Sequence, residues 1–172
     1  VADFNRDGMK EIVVVPATGG GPHVKMYSQA GKQLTTGFFA FDQKFRGGVS
    51  VAAGDVNNDG QVEIVVAPLR DMAPTVRILD QQGRPLGSLL AYDKNFKGGV
   101  NLAIGDADGD GKNDLVTGAA SGGPHVRIFS SGGLLKAQFM AFDPGSRSGV
   151  RVMVADTDGN GKKEILAGTA NF

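Results

Sequence analysis

Three observations on this 172-residue sequence predict an all-β fold built from repeated four-stranded antiparallel units. An acidic nine-residue motif returns four times in register, starting at Asp3, Asp55, Asp106 and Asp156, with spacings of 52, 51 and 50 residues. The stretches between motifs break into short apolar or alternating runs bounded by turn residues, with no helical periodicity. Gly is abundant, at 27 residues, which suits tight turns and weakens helix interiors. A four-stranded antiparallel sheet recurring at such a period is the pattern of a β-propeller blade. A β-sandwich is the alternative, but it would not need near-identical units.

Each unit reads in the same order. Strand A precedes the acidic motif, and strand B follows it as the apolar runs Ile12 to Val15, Ile64 to Ala67, Leu115 to Val116 and Ile165 to Ala167. A turn then leads into strand C at Pro22 to Tyr27, Pro74 to Leu79 and Pro124 to Phe129. A hairpin at Gly31, Gly83 or Gly132-Gly133 leads to strand D, which ends Ala40-Phe41-Asp42, Ala91-Tyr92-Asp93 or Ala141-Phe142-Asp143. The unit closes with Gly47-Gly48-Val49, Gly98-Gly99-Val100 or Ser148-Gly149-Val150. The chain is thus a single propeller segment: 1–48 holds strands B to D of one blade, 49–99 a second blade, 100–149 a third, and 150–172 strands A and B of the next. About three blade equivalents fall short of the four to eight that close a ring. The expectation is a fragment of a larger propeller, completed by its other blades or by further copies of the chain.

The motif carries the chemistry. Positions 1, 3, 5 and 9 are Asp3, Asn5, Asp7 and Glu11; Asp55, Asn57, Asp59 and Glu63; Asp106, Asp108, Asp110 and Asp114; and Asp156, Asp158, Asn160 and Glu164. Position 6 is always Gly, and position 7 (Met9, Gln61, Lys112, Lys162) offers a backbone carbonyl. Alternate side chains of a tight loop converge on one point, and calcium takes six to eight oxygens. The expected cofactor is Ca2+, one ion per loop and up to four in all. An EF-hand would need a bidentate Glu at position 12, where this sequence has Val14, Val66, Thr117 and Ala167 inside β runs. The EF-hand is excluded. Metal-free Asx-turns would explain Asp and Asn in turns, but not several carboxylates crowded together four times over.

With these loops followed by strands such as Glu11-Ile-Val-Val14, the sequence resembles the FG-GAP/VCBS-type repeats of integrin α subunits and many bacterial surface proteins. The Gly-Gly-Pro-His-Val and Ala-Phe-Asp segments resemble a bacterial version. The resemblance runs through essentially the whole chain. It implies calcium ligation by the acids named above and an extracellular or cell-surface role in adhesion, assembly or ligand binding. One departure stands out: Asp71-Met-Ala-Pro-Thr75 replaces the Gly-rich Pro-His turn in the second unit, so that turn is expected to differ around the ring.

Charge is segregated. Formal net charge is zero, with 18 basic and 18 acidic residues, and thirteen of the acids lie in the four loops. Four divalent ions would move the balance to about +8, leaving a cationic surface able to meet anionic partners. Strand order puts the metal loops at one end of each blade. The opposite end gathers His23, His125, Lys44, Arg46, Lys94, Lys97 and Arg147, where a protein or glycan ligand is expected. Phe41, Tyr92 and Phe142 are expected in inter-blade packing, and the two His residues in recurring turns.

Several functions are disfavoured. Zero net charge argues against nucleic acid, no apolar stretch is long enough to span a membrane, and the absence of Cys excludes a disulfide scaffold. No Ser/His/Asp arrangement, Cys nucleophile or phosphate loop is visible. A non-enzymatic module is therefore expected. The alternative is the propeller portion of a secreted polysaccharide-active enzyme whose catalytic residues lie elsewhere.

Overall fold

The computed structural model describes residues 1–170. Asn171 and Phe172, the end of the segment expected to form strands A and B of a last blade, lie outside the described residues. All regular structure among the described residues is β, arranged in four antiparallel sheets. The first sheet contains β1 (Ile12–Val14), β2 (His23–Tyr27) and β3 (Phe38–Phe39). The second contains β4 (Val49–Gly54), β5 (Glu63–Pro68), β6 (Thr75–Leu79) and β7 (Pro85–Leu90). The third contains β8 (Val100–Gly105), β9 (Asp114–Ala119), β10 (His125–Phe129) and β11 (Leu135–Met140). The fourth pairs β12 (Gly149–Ala155) with β13 (Glu164–Ala170). Every sheet is a simple meander in chain order.

Consecutive sheets stack face to face, and the core lies in layers between them. Phe4, Val24, Phe41, Ile64 and Val66 fill the layer between the first and second sheets. Val65, Ala67, Val76, Tyr92, Val100 and Leu115 fill the next, and Val116, Val126, Ile128 and Val150 the third. Successive side chains of a strand point to opposite faces, so Ile64 and Val66 enter one layer while Val65 and Ala67 enter the other. β5 and β9 are buried along their whole length. That is why strand B reads as a continuous apolar run, whereas β11, at the outer edge, is exposed throughout. Each fully buried Val, Leu or Ile contributes about 1.5–3 kcal/mol.

Specific bonds lock each sheet to the next. Arg77, on β6, lies 4.9 Å over the Phe41 ring and donates to the Ala40 carbonyl at 2.8 Å. Arg127, on β10, repeats this with Tyr92 at 5.2 Å and the Ala91 carbonyl at 3.0 Å. Tyr92 adds a 2.9 Å bond from its hydroxyl to the His125 carbonyl. Burial, opposed by its bond to Thr117 and the charge of Arg127, pushes the Tyr92 phenol up to about 12.

The Gly-Gly-Val connections are set by close approach. Gly99 has φ +82, and a Cβ there would lie 1.9 Å from the Leu69 carbonyl oxygen. Gly48 has φ +83, with the Ala17 carbonyl oxygen 1.4 Å from the corresponding point. The second-unit turn that departs in sequence does not depart in backbone. Asp71 has φ 63, like Gly19 at 77 and Gly122 at 82. All three amides donate to the connection following strand D: Gly19 to Arg46, Asp71 to Lys97 and Gly122 to Arg147. The changed sequence therefore leaves the backbone of this turn as it is in its sisters, because Asp tolerates the left-handed region.

Candidate metal centres

Each acidic motif forms a loop between strands A and B. Its last acid opens strand B: Glu63 pairs with Gly54, Asp114 with Gly105 and Glu164 with Ala155, and Glu11 bridges Ala2. The backbone between is wound tightly enough that position 6 has positive φ in all four loops (Gly8, Gly60, Gly111 and Gly161). Position 4 does too, as Arg6, Asn58, Gly109 and Gly159.

This winding turns backbone amides inward onto the side chains. The position-1 carboxylates accept from the position-6 amides at 2.8–3.0 Å, as in Gly60 to Asp55 at 2.8 Å and Gly8 to Asp3 at 3.0 Å. Met9, Gln61, Lys112 and Lys162, at position 7, donate their amides to the position-5 side chains of Asp7, Asp59, Asp110 and Asn160 at 2.7–2.9 Å. Asn5 and Asn57, at position 3, each accept the position-5 amide and donate to the position-5 carboxylate. These donors hold Asp156 and Asp110 below the ordinary carboxylate range, chiefly through the amides of Gly161 and Lys112.

The acids meet. Asp55, Asp59 and Glu63 each bring an oxygen within 4.8 Å of the others, as do Asp106, Asp108 and Asp114, and Asp156, Asp158 and Glu164. Asp3, Asp7 and Glu11 do not form such a triad, although the first loop repeats the hydrogen bonds of the second. Glu11, Glu63 and Asp114 are buried. One oxygen of each position-9 acid takes the position-2 amide: Phe4 to Glu11, Val56 to Glu63 and Thr157 to Glu164 at 2.9 Å, and Ala107 to Asp114 at 3.2 Å. The other oxygen of Glu11, Glu63 and Glu164 remains for the loop centre, whereas that of Asp114 meets Lys136. Burial raises Glu63, and the nearby Asp59 and Asp55 charges add to it against the Val56 amide. An all-oxygen, negatively charged cluster could hold a hard cation.

The third loop differs. Lys136, on β11, places Nζ 2.5 Å from Asp108, 3.0 Å from Asp114 and 3.2 Å from Asp110. Nothing in the spacing of the motif signals this contact. It depends on the register of strand D against strand C, with Leu135 opposite Phe129.

Neighbouring loops also touch. Arg6 donates to the Gly60 carbonyl. Asn58 accepts the Asn113 amide at 2.8 Å, and the Asn113 side chain donates to the Asp55 carbonyl at 2.9 Å. Gln81, in the hairpin between β6 and β7, donates to the Phe4 carbonyl at 2.6 Å, tying that hairpin to the first acidic loop.

At the opposite end, Lys44, Arg46, Lys94, Lys97 and Arg147 are exposed. His23 stacks on Phe39 with ring centroids 4.7 Å apart. His125 faces Gln138 at 3.1 Å and lies 5.5 Å from Tyr92. Burial first, then the Arg127 charge, holds its ring below the usual histidine value. His125, Arg127 and Arg147 line a cleft of about 310 Å³ with Tyr92 and Phe96. Phe41 and Tyr92 sit in the inter-sheet layers, and Phe142 packs against the third.

The FG-GAP-like repeat profile matches residues 3–66 and 106–167, and the chain belongs to this family of propeller-blade repeats. No curated protein matches it by sequence. Among solved structures it is similar to a lectin from Agrocybe aegerita described as recognising non-reducing terminal N-acetylglucosamine. The identity is 17% and the TM-score 0.49, over 93% of this chain and 47% of the lectin. No helix among the described residues is long and apolar enough to cross a membrane.

Proposed function

We propose that this chain is a calcium-stapled propeller module of an extracellular or cell-surface protein, binding its ligand without catalysing a reaction. The observation that carries the calcium reading is the convergence of three acid oxygens within 4.8 Å in three loops. Oxygens around one calcium, at 2.3–2.6 Å from it, are separated by at most about 5 Å, so the clusters have the right span. Calcium would be held by positions 1, 3, 5 and 9, with the position-7 carbonyl and water completing the shell. Its charge would cancel the repulsion among the carboxylates and staple strand A to strand B. The first loop, with the same backbone bonds, needs only side-chain adjustment to join the others.

The ligand surface is the end away from these loops. Its exposed cations, and the cleft beside Tyr92 and His125, suit a protein or glycan carrying anionic groups. Millimolar extracellular calcium would fill such sites even at modest affinity. Calorimetric titration with calcium, with magnesium as control, tests the reading. Saturable calcium binding that Asp59→Asn and Asp156→Asn each reduce by one site is expected. Absence of heat and of any bound calcium by equilibrium dialysis would overturn it.

A further inference from the structure

In the third loop the place of a cation is taken by a side chain. We infer that Lys136 is a built-in competitor for calcium there, offsetting one of the loop's four negative charges without metal and having to leave when the metal enters. This rests on the calcium reading above. The Lys136 ammonium touches three carboxylates of one loop: Asp108 at 2.5 Å, Asp114 at 3.0 Å and Asp110 at 3.2 Å. Two of these, Asp108 and Asp114, belong to the triad whose oxygens lie within 4.8 Å of one another, and Asp114 is buried at 1% exposure. An ammonium so placed occupies the volume and donors that an entering ion would use.

The second loop provides the contrast. There Leu86 stands where Lys136 stands, one residue beyond the Leu79–Pro85 pair that corresponds to Phe129–Leu135. Leu86 lines an open cleft of about 350 Å³ with Asp59 and Glu63, and it carries no charge to offer them. In the first sheet, neither Leu34 nor Thr35 supplies an ammonium at this register. The third loop thus has one acid more than the second, Asp108 where the second has Asn57, and a lysine seated among its acids, whereas the cation near the second loop, Arg84, pairs with Asp80 instead. The third loop is expected to be stable without metal and to fill last. Its filling releases Lys136 toward solvent and adds an exposed cation beside the loop.

The amides of Gly60, Gly111 and Gly161 report each loop separately in two-dimensional NMR during a calcium titration. Lys136→Met keeps the side-chain stem and removes the charge. It should strengthen calcium binding at Gly111 by about tenfold, the order expected when several ion-pair contacts no longer have to be broken. Binding at Gly60 and Gly161 should stay within twofold. The reciprocal Leu86→Lys, at an exposed site, should weaken binding at Gly60 by a similar factor. Unchanged binding at Gly111 in Lys136→Met would overturn the inference while leaving the calcium reading intact. If that variant does not fold, unchanged binding at Gly60 in Leu86→Lys does the same. Absence of calcium shifts at all three glycines in the unmodified protein would overturn both.

Discussion

Acidic residues of this chain fall into two kinds, distinguished by what their carboxylates hold. Asp93 accepts the Asn95 amide at 2.8 Å and caps an Asx-turn, as Asp42 does for Lys44. Asp59 spends one oxygen on the Gln61 amide and contributes to an acidic triad. Asp93→Ala should cost about 1 kcal/mol in urea unfolding and leave calcium affinity unchanged, whereas Asp59→Ala should abolish binding at its loop. Asp71 sits in the left-handed region at φ 63, where two sister turns have Gly. Asp71→Gly should raise stability by about 1 kcal/mol in the same assay. The ring of His125, held below 6.5 by burial and by Arg127, binds fewer protons folded than unfolded. Its contribution is complete above 6.5 and is lost as pH falls below it. Stability measured from pH 7.5 to 5 should decline less steeply in His125→Gln.

At the scale of elements, the strand pattern was legible in the sequence because period-2 burial and turn chemistry are local. The continuous run Ile64 to Ala67 marked strand B, and Gly at position 6 marked the tight loop. Three features were not legible. β3 has only two residues, because Gly37, at φ +83, interrupts the strand where a Cβ would meet the Val24 carbonyl at 2.4 Å. The turn at Asp71 keeps its backbone despite a changed sequence, since Asp replaces Gly at an equivalent φ. Arg77 and Arg127 alternate with apolar residues, as solvent-facing side chains would, yet they reach back to the preceding sheet. Arg127→Met should therefore destabilise the protein by about 1–2 kcal/mol, read by urea unfolding. Gly99→Ala should cost about 3 kcal/mol or more, because both its φ and the Leu69 carbonyl resist a side chain.

For the whole molecule, the organising fact is that charge and core are separated along the blade. The apolar layers run between sheets, thirteen of eighteen acids gather in the four loops, and exposed lysines and arginines stand at the other end beside Asp42, Asp93 and Asp143. The sequence shows this partition directly, since the loops recur in register. It does not show that three loops bring three acids together and the first does not, nor that Lys136 reaches the third. Calcium is proposed to join the two halves of this design, neutralising the acidic end and stapling strand A to strand B in each blade. Thermal unfolding with calcium and with excess chelator tests that claim most directly. A ligand that binds only the folded state contributes about 2.7 kcal/mol per independent site at a hundredfold excess over its Kd, so calcium should raise the Tm by several degrees or more. An identical Tm in calcium and in chelator would contradict the account.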